Sequence, residues 1–173
     1  MQAPKKIILI LLIEINLISC SSVGSIDNEA SDFFNRYQNE TFCKLNNFSI
    51  SERDRTLSKI IYLVNEFSYD TPPYVVEYSL IRRSIVSIDN KLLMQNGSSD
   101  YFSREEIQEI TQAIRKYKFY LLEIDSLGSV FINPYESNSP AVYLRLYKNS
   151  ELSEVFYKHK YVKEMGVWYK IQN

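Results

Sequence analysis

Few residues in this chain carry the side chains of covalent or acid–base catalysis. His159 is the single histidine, so a Ser-His-Asp or Cys-His mechanism has to pass through it. It lies in Tyr157-Lys158-His159-Lys160-Tyr161, between two lysines on an alternating stretch, and reads as a strand histidine facing solvent or satisfied by a neighbour. No G-x-S-x-G elbow accompanies it. Cys43 has only Lys44 as a basic neighbour in sequence; a reactive thiolate needs an electropositive setting, so a buried small hydrophobe is the better reading. Glu105 and Glu109 stand one helical turn apart and suit shared acid and base work. In the first turns of a capped helix, favourable interaction with the helix dipole explains them as well. Arg82-Arg83 offers an anion a partner, but adjacent residues on a helix diverge and leave a solvated face.

Metal and cofactor chemistry finds little to hold. With one histidine and two cysteines the chain lacks H-E-x-x-H and C-x-x-C zinc patterns, and no EF-hand loop is present. Neither G-x-G-x-x-G nor a phosphate-binding G-x-x-x-x-G-K occurs, so no cofactor and no nucleotide are expected. The formal net charge of −1 builds no positive field for phosphate backbones, which excludes nucleic acid as a partner.

What remains is an aromatic surface. Tyrosine occurs fourteen times, and tyrosine favours strands and interfaces where the ring is buried and the hydroxyl stays wet. In residues 141–147, Val142, Leu144 and Leu146 share one side of a strand and Tyr143, Arg145 and Tyr147 the other; Trp168 and Lys170 share a side of the last strand. If helices cover the aliphatic side, Tyr143, Arg145, Tyr147 and Trp168 form an open binding face for a sugar or a protein. The competing reading is a self-supporting sheet face of cross-strand aromatic pairs.

The elements that would position this face follow from periodicity. A short helix is expected over 31–37. Ser51-Glu52-Arg53-Asp54 looks like a helix start, and Leu57, Ile60, Ile61, Val64 and Phe67 keep helical spacing up to Thr71-Pro72-Pro73. Residues 74–95 are ambiguous between strand and helix; Ile81, Ile85, Ile88 and Leu92 with Asn96-Gly97 as a stop favour helix. Ser103-Arg104-Glu105-Glu106 is a capping box, followed by Ile107, Ile110, Ile114 and Tyr117 on one face. From Lys118 the period becomes two, predicting strands over 119–124, 129–132, 141–147, 155–162 and 167–171. The expected fold is α+β, with N-terminal helices packed on one face of a C-terminal antiparallel β-meander.

The first segment gives an address. Lys5 and Lys6 precede an unbroken apolar run from Ile7 to Ile13 that continues, past Glu14 and Asn16, to Ile18. This is too short to cross about 30 Å of hydrocarbon as a helix and reads as a signal peptide. Its end, Leu17-Ile18-Ser19-Cys20, resembles the lipobox of bacterial lipoproteins. That resemblance implies that Cys20 is lipidated and becomes the mature N-terminus, and several acyl chains on one cysteine suffice for stable anchoring. The expected organisation is a signal peptide at 1–19, a lipidated cysteine and flexible leash at 20–27, and a single domain at 28–173. Three acceptor patterns, at Asn39, Asn47 and Asn96, support the alternative of a eukaryotic secreted glycoprotein. The functional expectation is a membrane-anchored bacterial envelope lipoprotein with a non-enzymatic binding role toward a protein partner or a glycan. A small envelope hydrolase acting on glycan or peptidoglycan through an Asp/Glu pair is the alternative.

Overall fold

The computed structural model describes residues 23–67, 70–147 and 161–172. Among them lie three helices, α1 (Val23–Tyr37), α2 (Lys91–Gln95) and α3 (Arg104–Tyr117), and nine strands. The strands are β1 (Phe48–Arg55), β2 (Lys59–Asn65), β3 (Tyr74–Ser79), β4 (Ser84–Asp89), β5 (Leu121–Ile124), β6 (Val130–Asn133), β7 (Tyr143–Arg145), β8 (Tyr161–Met165) and β9 (Trp168–Ile171). They form one antiparallel sheet in the order β4-β3-β2-β1-β5-β6-β7-β9-β8.

This overturns the expected α+β layout of helices first and meander second. The helix predicted across 51–67 is the hairpin of β1 and β2, and the one predicted across 74–95 is the hairpin of β3 and β4 followed by one turn of α2. The physical reason is burial on both sheet faces. In β2, Ile60, Tyr62 and Val64 are buried on one face while Ile61 and Leu63 are half-buried on the other, so apolar residues fall at spacings of three and four as well as two. Leu57 and Ile81, which completed the helical stripes, sit instead in the turns between strands. The Asn96-Gly97 stop is used, with Gly97 at φ 70°, but it ends a helix of five residues.

The capping box is formed as the sequence indicates. The Ser103 side chain accepts from the Glu106 N–H and the Glu106 carboxylate accepts from the Ser103 N–H, while Lys118 closes α3 in the left-handed conformation. The strands predicted over 119–124, 129–132, 141–147 and 167–171 correspond to β5, β6, β7 and β9 within one or two residues at each end, whereas β8 overlaps the stretch predicted over 155–162 only at Tyr161 and Val162 and lies at the edge outside β9. The N-terminal part of the stretch predicted over 155–162, His159 included, lies outside the described residues, as does Cys20. The backbone is helical from Val23, within the stretch expected to be a leash. No helix among the described residues is long and apolar enough to cross a membrane.

α1 and α3 contribute to one core with a single sheet face: Phe34, Ile107, Ile110 and Ile114 pack among Phe48, Ile50, Ile60, Tyr62, Leu122 and Tyr143. The opposite face carries a second, smaller cluster of Leu121, Phe131, Ala141 and Leu144. At one end of the sheet the β1–β2 turn, the β3–β4 turn and the connection 134–140 meet. Leu80 N–H donates to Ser58 O at 2.8 Å, and Arg53 Nη1 donates to Asn138 Oδ1 at 3.0 Å. The β5–β6 turn, closed by Asp125 Oδ1 accepting from Leu127 N–H and Ser129 N–H, lies at the other end.

Candidate functional site

The face expected to be open is covered. Tyr143 and Trp168 are buried beneath α1: the Trp168 ring stacks on Phe34 at 5.2 Å and the Tyr143 ring lies 4.6 Å from Phe33. Aromatic side chains of the helix meet aromatic side chains of the sheet, and the aliphatic side, with Leu144 fully buried, forms the second cluster. Arg145 is a staple for α1. Its Nη1 donates to Tyr37 O at 2.9 Å and Glu40 O at 2.8 Å, satisfying carbonyls at and just past the helix end, and its guanidinium lies 4.7 Å from the Phe42 ring. Burial holds the Arg145 pKa below the ordinary value. Tyr143 and Tyr135 share a short hydrogen bond between their hydroxyls. Of the four, Tyr147 alone is largely exposed, so the set does not form a binding face.

The catalytic candidates are likewise dispersed. Cys43 is half-buried, and its thiol donates to Glu109 Oε1 at 3.7 Å; burial first and the nearby Glu109 next push the thiol pKa up, the reverse of what a nucleophile needs. Glu109 also accepts from Lys44 N–H at 3.3 Å and is not paired with Glu105. Among the described residues two carboxylates are buried, Glu52 and Glu123. Glu52 shares the helix-covered face with Phe48 and Ile50, and Glu123 shares the other with Leu121, so they cannot face one another across a substrate. No group of three metal-ligating side chains occurs among the described residues.

A different constellation is present between α3 and the β3–β4 hairpin. Arg104, Gln108, the adjacent pair Thr111 and Gln112, and Arg115 follow one another at intervals of three or four residues and present one stripe of α3. Opposite them stand Tyr78 of β3, Arg83 at the turn, and Ser84 and Ile85 of β4. Together they line a cleft of about 290 Å³. Three guanidinium groups enter this lining and no carboxylate does. None of the three forms an ion pair among the described residues. The Arg115 guanidinium lies over the Tyr78 ring at 5.0 Å, and its Nε is buried without a hydrogen-bond partner.

The buried carboxylate on the helix-covered face, Glu52, is engaged by a different arginine. Glu52 is held by Arg55, through Nε at 2.7 Å and a short contact from Nη2. Arg115 hydrogen-bonds the Tyr62 hydroxyl, so the cleft presents charged donors with no acidic partner among the described residues, walled on one side by an aromatic ring and an isoleucine. An anion that enters it gains charge-assisted hydrogen bonds, and a flat or apolar portion of the same ligand has Tyr78 and Ile85 to lie against. Arg83 was singled out in the sequence as half of a diverging helical pair; in the structure it occupies the β3–β4 turn at φ 54°. Arg104 and Arg115 were not recognised as site residues. Their signal is the polar stripe on the capped helix, which by itself reads as a solvated face.

No protein-family model matches the chain, and no curated protein and no solved structure is significantly similar to it.

Proposed function

We propose that the chain is a lipid-anchored bacterial envelope protein whose domain is a non-enzymatic binding module for an acidic glycan, taken up in the cleft between α3 and the β3–β4 hairpin. One observation carries the binding half: three arginines, Arg83, Arg104 and Arg115, line one cleft without a carboxylate among its walls. The volume suits one acidic sugar unit rather than a long buried chain. A carboxylate accepts bidentate bonds from guanidinium groups, and the sugar ring lies on Tyr78. A hydrolase needs an acid and a base within reach of one bond; the two buried carboxylates lie on opposite faces of the sheet, which favours binding over hydrolysis.

The anchoring half rests on the basic then apolar N-terminal segment and Leu17-Ile18-Ser19-Cys20. Cells producing the wild-type chain are expected to incorporate labelled fatty acid into it and to retain it in the membrane fraction, and Cys20→Ser is expected to abolish the labelling. Labelling that survives the substitution contradicts the anchor. For the binding half, the full chain in detergent is expected to be retained on immobilised polygalacturonate, and the Arg104→Gln/Arg115→Gln double variant to pass through. Equal retention of both contradicts the cleft as the site.

A further inference from the structure

We infer that the end of the sheet bearing the β1–β2 and β3–β4 turns docks on an anionic lipid surface, with Leu57 and Ile81 as the groups that enter it. Leu57 is 102 % exposed and Ile81 79 %. Both are held out by ordered turns: Thr56 Oγ1 accepts from Lys59 N–H at 3.2 Å, and Ser79 Oγ accepts from Arg82 N–H at 3.0 Å. The Leu80 N–H to Ser58 O bond of 2.8 Å ties the two turns side by side. One exposed aliphatic residue on a soluble domain needs no explanation, but two adjacent turn tips that present Leu and Ile outward form a small apolar prong.

The charge around the prong selects the partner. The two turns and their flanks, residues 52–59 and 77–84, carry five basic residues, Arg53, Arg55, Lys59, Arg82 and Arg83, against three acidic ones, Glu52, Asp54 and Glu77, a local excess of two positive charges in a chain whose formal net charge is −1. Arg55 and Lys59 are paired with Glu52 and Glu77, set back along the strands, while Arg53 bonds the neutral side-chain oxygen of Asn138. Aliphatic tips ringed by basic side chains match the headgroup and upper acyl layers of a membrane that contains anionic lipid.

This inference shares Arg83 with the glycan cleft, but it rests on the two turn tips and does not require lipidation.

The test uses the full chain carrying Cys20→Ser and Cys43→Ser, with a single new cysteine from Leu57→Cys, Ile81→Cys or, as a control at the opposite end of the sheet, Leu127→Cys, labelled with an environment-sensitive fluorophore. Each is mixed with vesicles of phosphatidylcholine, with or without phosphatidylglycerol, that hold a lipid-borne quencher, and flotation is run on the same samples. The expected result is quenching at positions 57 and 81 several-fold above that at 127 in the anionic vesicles, falling in the neutral ones. Equal quenching at all three positions, or the same quenching in neutral vesicles, overturns the docking. Labels at 57 and 81 already shielded without vesicles assign the prong to contact between copies and also overturn it. A chain that floats with unquenched tips overturns the docking, and so does one that does not float with the anionic vesicles.

Discussion

Trp168→Ala is expected to lower the stability of the domain by about 3–5 kcal/mol, the usual cost of deleting a buried aromatic ring. Trp168 is 1 % exposed and touches α1 through Phe34 at 5.2 Å and Phe33 at 5.8 Å, so its loss opens a cavity where helix and sheet meet and leaves the Arg145 guanidinium without one of its two aromatic neighbours. In a domain of this length the melting temperature should fall by on the order of 10 °C. Trp168→Phe provides the comparison. It keeps most of the ring and removes the indole N–H, which is buried without a hydrogen-bond partner, and an unsatisfied buried donor costs about 1–3 kcal/mol. The phenylalanine variant is therefore expected to lose less than half of what the alanine variant loses. Denaturant melts of the three proteins decide it; an alanine variant within about 1 kcal/mol of the wild type contradicts the burial of this face.

The second large effect concerns Glu123. Its carboxyl is 6 % exposed, opposite Phe131 and Ser49 in the sheet register, and accepts a hydrogen bond from the Ser49 hydroxyl at 2.8 Å. Burial pushes its pKa up from 4.5 to about 7, with the Ser49 hydrogen bond pulling partly back. Because the folded chain holds this proton more tightly than the unfolded chain, the contribution to stability is fully present below about pH 4.5. It declines as pH rises and is lost once pH passes about 7, a total of about 3 kcal/mol. Glu123→Gln removes that dependence. The difference in unfolding free energy between the two proteins should be constant in acid and shift by about 3 kcal/mol in favour of the variant by about pH 8. The lowered pKa values of Glu40 and Asp89 act in the opposite sense at acid pH, but in both proteins, and so drop out of the difference. Parallel curves across this range contradict a buried, late-titrating Glu123.

The elements that were legible in the sequence are those whose pattern has one physical source. Ser103 and Glu106 satisfy each other's backbone donors within four residues, so the start of α3 depends on nothing distant. The strands after Lys118 are short apolar runs bounded by turn residues such as Gly128, Asn133-Pro134 and Gly166, and those turns made them legible although β5 and β6 are buried on both faces. The N-terminal hairpins failed because their sheet carries apolar side chains on both faces, and Ile61 beside Ile60 or Ile88 near Ile85 mimics a helical stripe. Which side of β7 and β9 a helix covers was a tertiary choice: Phe33, Phe34 and Tyr37 of α1 make the aromatic side the interior, and no local pattern in 141–147 records that. The cleft was hidden for a similar reason. Arg83 and Arg104 are twenty-one positions apart in the chain and converge only because the β3–β4 hairpin, read as helix, folds back beside α3.

The claim that the domain binds through this cleft is tested most directly by calorimetric titration of the full chain in detergent with a short oligogalacturonate. The expected result is saturable binding of one ligand per chain. Arg104→Gln and Arg115→Gln should each weaken it by about tenfold or more, since a hydrogen bond to a charged group is worth about 1.5–3 kcal/mol, and affinity should drop further between about 50 and about 200 mM salt as the exposed charges are screened. Melting temperatures of the variants close to wild type would place the loss in the cleft and not in the fold. Binding that is absent in the wild type, or that survives both substitutions unchanged, contradicts the assignment.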